Sequence, residues 1–134
     1  MLLDSNSATL GWQAEPFRLK GADGTAYNLK ELQGEKVLVI AFICNHCSYV
    51  KAIVNRLVKD ASNLHAKGIN FVAINANDFT AYTEDSPPMM TVFAHQNHFN
   101  FPYLIDEDQQ VARTYGAVCT PDFFGFNQIG ELQY

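Results

Sequence analysis

Val37 to Phe42 reads VLVIAF and Ile69 to Asn75 reads INFVAIN, two apolar runs rich in β-branched and aromatic residues, as expected of strands buried on both faces of a sheet. Between them Val50, Ile53, Val54, Leu57, Ala61 and Leu64 recur at three- and four-residue steps, while Lys51, Arg56, Lys59 and Asp60 fall elsewhere around the wheel. This spacing predicts an amphipathic helix of about six turns, with Gly68 as its left-handed C-terminal cap. Upstream, FRLKGADGTAYNL sets two β-compatible runs on either side of Asp23-Gly24, a hairpin signal, and Leu29 to Leu32 suggests one helical turn ending near Gly34. Downstream, Pro87-Pro88 opens a helix running to about His98. FPYLID is a third strand, Gln109 to Tyr115 a short helix, and Asp122 to Asn127 with Glu131 to Tyr134 a closing hairpin.

Strand and helix alternate, so the class is α/β: parallel central strands joined by helical crossovers, with antiparallel strands added by the two hairpins. The 134 residues suit one domain spanning 1–134, in which 1–15, lacking periodicity, form a flexible lead or an accessory strand. A 48% hydrophobic share with 17% charged residues supplies a real core and argues against disorder. The net charge of −5, with no Lys/Arg cluster, offers neither nucleic acid nor anionic lipid a counterion-releasing surface. MLLDSNSATLGW has no charged n-region and no apolar h-region, and no apolar run is long enough for a membrane span, so the reading is cytoplasmic.

Chemistry concentrates at ICNHCSY, Ile43 to Tyr49, where Cys44 and Cys47 flank Asn45 and His46 directly after the first strand. Three cysteines in such a chain argue against a disulfide scaffold and for reactive or metal-binding thiols. At a strand-to-helix junction the helix N-terminus favours a thiolate at Cys44, and Cys47, one helical turn on, can close a disulfide with it. A partly protonated His46 beside them would favour the reduced state and make the pair a comparatively good oxidant, the plain alternative being a solvent-facing imidazole. Cys44, Cys47 and Cys119 could instead hold zinc or copper(I) without turnover, although adjacent His46 and Cys47 would have difficulty reaching one ion together. His95 and His98 share a helix face, but no third ligand is evident, and a surface or packing role is the simpler reading. No glycine-rich nucleotide loop is present, so no organic cofactor is implied.

CNHC after VLVIAFI, TPDFF downstream and DGTAYNLKELQGEKV upstream together resemble the thioredoxin-like superfamily, in the redoxin branch that includes TlpA/ResA-type and AhpC/TSA-type proteins. The resemblance covers Phe17 to Tyr134, and FICNHCSYVKAI with CTPDFF is similar to bacterial cytoplasmic members. It implies a thioredoxin-like fold and a thiol-disulfide oxidoreductase acting on protein or small-molecule thiols and disulfides. It further implies a cis-proline loop opposite the cysteine pair, with Pro121 as the proline, Thr120 as a substrate contact and Cys119 beside them. DsbA-type oxidases also carry histidine before the second cysteine, but their inserted helical domain has no room here.

Several positions depart from the pattern. A peroxidase of the AhpC/TSA kind has Thr three residues before its peroxidatic cysteine and Pro four residues earlier still, where this chain has Ala41 and Val37, so a thiol peroxidase is the weaker alternative. The buried carboxylate that thioredoxin places six residues before its first cysteine is replaced by Leu38, which leaves Asp78 or Glu84 as candidates for proton transfer, weighed against ordinary solvated loop residues. The resemblance implies a C-terminal helix after the last hairpin, where this sequence stops at Glu131 to Tyr134: either the cover comes from another copy or the chain is a shortened form, and an uncovered apolar face would favour association into a homodimer.

Overall fold

The computed structural model describes residues 10–34, 36–45, 48–78, 80–117 and 121–133, with Tyr49 in its backbone only. The predicted hairpin forms from β1 (Arg18–Gly21) and β2 (Ala26–Asn28). Gly24, at φ +86°, turns it, and the Asp23 carboxylate accepts from the Thr25 amide at 2.9 Å and the Tyr27 hydroxyl at 2.6 Å. Those two bonds, the Tyr27 one foremost, hold the Asp23 carboxyl below its ordinary range.

α1 (Leu29–Gln33) follows without a break because Asn28 is its N-cap: Asn28 Oδ1 accepts from the Glu31 amide at 2.8 Å, and Glu31 Oε1 accepts from the Asn28 amide at 3.3 Å. Asn28→Ala removes this box and is expected to lower stability by about 1 kcal/mol, read as a reduced urea midpoint at unchanged slope.

β3 (Val37–Phe42) and β4 (Ile69–Asn75) lie side by side in parallel, linked by α2 (Ser48–Ala66), which ends at Gly68 with φ +79°. α3 (Pro87–Gln96) carries the chain to β5 (Tyr103–Ile105), parallel to β4, and α4 (Gln110–Tyr115) leads toward β6 (Asp122–Phe126), antiparallel to β3. The sheet order is β2-β1-β5-β4-β3-β6, the N-terminal hairpin joining through antiparallel β1 and β5. Alternate residues of each strand feed two cores. Leu38, Ile40 and Phe42 pack with Val72, Ile74, Leu104, Tyr115 and Phe126 on one face, and Ala41 and Ile43 pack with Val50 and Leu57 of α2 and Met90 of α3 on the other. Each of the larger of these, the Val, Leu, Ile, Phe and Met side chains, contributes about 1.5–3 kcal/mol by leaving water. Between α2 and the sheet a cleft of about 510 Å³, lined by Val39, Leu57, Phe71 and Phe123 among others, remains open.

The closing hairpin differs from its expectation. Its returning arm makes isolated bridges, Phe126 to Leu132 and Gln13 to Glu131, rather than a strand. Its backbone is shared between two neighbours: Glu131 O accepts from Asn127 N and Gln133 N donates to Gly125 O, while Leu132 faces the N-terminal segment. Leu132 donates to Trp12 O and accepts from Gly11 N, while the Asn127 carboxamide captures the amides of Ile129 and Glu131. Residues 11–14 therefore serve as the accessory strand-like segment. No helix among the described residues is long and apolar enough to cross a membrane.

Candidate active site

β3 stops being a strand after Phe42, yet the Ile43 amide still donates to Ile74 O at 2.9 Å, so the link toward α2 starts deep in the sheet. Cys44 consequently lies within the protein, 1% exposed. Four residues later α2 begins at Ser48, so Cys44 lies in the link between β3 and α2. Cys47 and His46 lie outside the described residues, as do Cys119 and Thr120.

Pro121 is half-buried and immediately precedes β6. Because β6 runs antiparallel to β3 with Asp122 across from Phe42, Pro121 comes to the sheet end at which the chain leaves β3 for Cys44. The two ends of that register, one carrying the first cysteine and the other the proline, thus open on the same edge.

Beside Cys44 lies a polar cluster buried against the α2–α3 face. Asn45 is 4% exposed, a cost that only hydrogen bonds can offset. Its amide donates to Asp85 Oδ1, its Nδ2 donates to Glu84 O at 2.8 Å, and its Oδ1 accepts from the Tyr103 hydroxyl at 2.7 Å. Asn75, the last residue of β4, donates through Nδ2 to Asp85 Oδ1 at 3.0 Å and to the Tyr103 oxygen at 3.1 Å. Asn77 Nδ2 donates to Asp85 Oδ2 at 3.1 Å. Among the described residues no buried side-chain nitrogen or oxygen lacks a partner. Burial drives the Tyr103 hydroxyl well above the ordinary phenol range; the Asn75 hydrogen bond opposes this, and the charges of Asp85 and Cys44 add to it. Tyr103 is therefore a fixed donor within electrostatic reach of both.

Neither carboxylate singled out in the sequence enters this cluster, to which Glu84 contributes only its backbone carbonyl. Asp78 is fully exposed, with its carboxyl held low chiefly by the Thr80 side chain, and Glu84 points outward to a 3.9 Å ion pair with Lys51. The inward carboxylate is Asp85, 1% exposed, in the 3-10 turn Thr83–Asp85. The only signal for it in the sequence is polar residues closing apolar strands: Asn45 after FIC, and Asn75 and Asn77 after FVAI. His95 and His98 are both exposed, and no group of three His, Cys, Asp or Glu able to hold a metal occurs among the described residues. Phe99 and Phe101 pack against the α2–α3 core, Phe124 and Phe126 lie in the opposite one, and Phe123 is exposed at the cleft.

The AhpC/TSA family profile matches residues 10–134. The chain belongs to the AhpC/TSA family. Its mixed sheet flanked by helices is the thioredoxin-like arrangement expected of that branch. An uncharacterized conserved protein from Geobacillus kaustophilus, known from its crystal structure, is 44% identical and superposes with a TM-score of 0.93, covering 98% of this chain and 70% of that one. The thiol-disulfide oxidoreductase ResA of Halalkalibacterium halodurans is 28% identical over 131 residues, 96% of this chain and 69% of that protein. Peroxiredoxin Bcp of Escherichia coli is 29% identical over 120 residues, 90% of this chain and 72% of that protein. AhpC/TSA relatives of this chain are thus named for two different thiol chemistries.

Proposed function

We propose that this AhpC/TSA protein is a redox enzyme, a thiol-disulfide oxidoreductase in which Cys44 and Cys47 cycle between dithiol and disulfide. The observation that carries the reading is the position of Cys44 just past the end of central β3, at the sheet edge shared with Pro121. In the forward step the Cys44 thiolate attacks a partner disulfide: the Cys44 Sγ–S bond forms, the partner S–S bond breaks, and the departing thiolate takes up a proton. The Cys47 thiolate then attacks the Cys44 sulfur, closes the Cys44–Cys47 disulfide and releases the second partner thiol. Two electrons pass to the partner, and an external dithiol restores the pair. His46 would stabilise the reduced form, and Thr120, Pro121 and Cys119 would line the approach to it. Protein or small-molecule thiols and disulfides are the substrates, and the cytoplasm, which keeps dithiols reduced, is the compartment that suits a reductant.

The burial of Cys44 imposes a condition on this chemistry. A cysteine residue that is 1% exposed meets a partner disulfide only in a locally opened state, so exchange would be gated by that opening. Insulin reduction with dithiothreitol as donor tests the activity, and the Cys44 and Cys47 substitutions treated in the Discussion assign it.

The likeness to peroxiredoxin Bcp supports one rival, in which Cys44 reduces a peroxide. With Ala41 and Val37 at the two positions where the resemblance would require Thr and Pro, we expect no thiol-dependent loss of hydrogen peroxide above that of free dithiothreitol. Peroxide consumption at a rate exceeding insulin reduction would reverse the assignment. Stoichiometric zinc or copper in protein purified without added metal would instead favour a site built from Cys44, Cys47 and Cys119.

A further inference from the structure

The sequence of α3, PPMMTVFAHQ, contains no Lys, Arg, Asp or Glu, whereas α2 turns Lys51, Arg56, Lys59 and Asp60 to solvent. A helix with one face in water ordinarily carries charge on that face. On α3 the place is taken by Met89 and Val92, 44% and 42% exposed and one turn apart. Both border a groove of about 320 Å³ between α3 and the start of α2, lined also by Asn45, Lys51, Glu84 and Phe93. Asn45 follows Cys44 in the chain, and its Nδ2 donates to Glu84 O at 2.8 Å, which fixes the groove to the link that carries Cys44. Lys51 and Glu84 pair at 3.9 Å, so the groove offers an incoming partner no net charge. α3 joins β4 to β5, on the side of β3 away from β6, so this groove and the Pro121 approach flank the Cys44 link from opposite sides.

We propose that this groove is the docking surface for a protein substrate, an uncharged segment of which lays an apolar side chain on Met89 and Val92 and so presents its disulfide to Cys44. The inference rests on the exchange reading above and narrows its substrates to protein disulfides over small ones. Charge matching decides the occupant: a small disulfide bearing carboxylates or ammonium groups finds no counter-charge on α3, while an apolar side chain leaves water together with Met89 and Val92. Methionine adapts to side chains of different shape, as a surface that serves more than one partner sequence requires. Docking also holds the partner beside the link through the local openings that expose Cys44, which raises the effective concentration of its disulfide there.

The test is single-turnover oxidation of the fully reduced chain by insulin and by bis(2-hydroxyethyl) disulfide, a small neutral disulfide. In each case the dithiol gives up two electrons and two protons, the Cys44–Cys47 disulfide forms, and one substrate disulfide becomes two thiols. Alkylation and mass spectrometry read the rate. Val92→Glu and Met89→Glu should each lower the ratio of the insulin rate constant to the small-disulfide rate constant by about tenfold, the loss expected of one buried contact at an interface. Asn63→Glu, which adds the same charge at an exposed position near the far end of α2, should keep the wild-type ratio. A ratio that neither α3 variant lowers, one that Asn63→Glu lowers as far, or a wild type oxidised by the small disulfide alone overturns the docking surface and leaves the exchange reading intact. A wild-type dimer that Val92→Glu splits in sedimentation also overturns it, because the face then belongs to a second copy. A wild type that forms the Cys44–Cys47 disulfide with neither substrate overturns both.

Discussion

Cys44→Ser abolishes insulin reduction, with a loss on the order of a thousandfold or more, because a serine hydroxyl is neither ionised near neutral pH nor able to form the mixed disulfide. The substitution changes one atom in a buried, well-filled position, so the folded state should persist and the loss can be read as chemistry. Stability and activity must be measured together: unchanged unfolding with lost turnover is the expected pair of results. Turnover within a few-fold of wild type would remove the thiol mechanism altogether. The gate over Cys44 adds a second expectation, that exchange should accelerate in urea well below the unfolding midpoint, as local opening becomes more populated.

The largest effect on stability is expected at Tyr115. Its ring is 1% exposed and sits among Trp12 at 5.1 Å, Phe126 at 5.9 Å, Phe124 at 6.0 Å, Phe42 at 6.1 Å and Phe17 at 6.2 Å, mostly edge to face. Its hydroxyl donates to Glu15 O at 2.8 Å. Tyr115→Ala empties this centre and should cost about 3–5 kcal/mol. Tyr115→Phe keeps the ring contacts and loses one hydrogen bond, about 1 kcal/mol. Urea unfolding of both variants checks the ratio. Equal losses would mean that the hydroxyl, rather than the aromatic cluster, holds α4 and residues 11–17 to the sheet.

Much of this architecture was legible in the chain because its signals are local and continuous. VLVIAF and INFVAIN are strands from end to end, since an unbroken apolar run at a strand's length has few other ways to be buried. The helix between them follows from its three- and four-residue spacing, although it begins at Ser48 and spans 19 residues, closer to five turns than six. The returning arm of the last hairpin was not legible. Whether residues 131–133 become a strand depends on which backbone they meet, and the segment 11–14 reaches them from more than a hundred residues away.

Of the candidate site, the order of Cys44 and Pro121 was legible, and the antiparallel register of β3 and β6 brings those two to one end of the sheet. Two of its physical features were not. Successive residues of a 3-10 turn point about 120° apart, so Glu84 faces solvent while Asp85 faces the cluster, and no composition rule separates two neighbouring acids. The burial of Cys44 likewise depends on tertiary packing rather than on its neighbours in the chain.

The most direct test of the exchange mechanism is covalent trapping. Cys47→Ser should leave Cys44 able to attack a disulfide and unable to release it, so incubation with oxidised glutathione should accumulate one glutathione per chain, mapped to Cys44 by peptide mass spectrometry. A chain that remains unmodified under conditions that oxidise free dithiothreitol, or one that carries its glutathione on Cys119 instead, would contradict the assignment of Cys44 as the attacking sulfur.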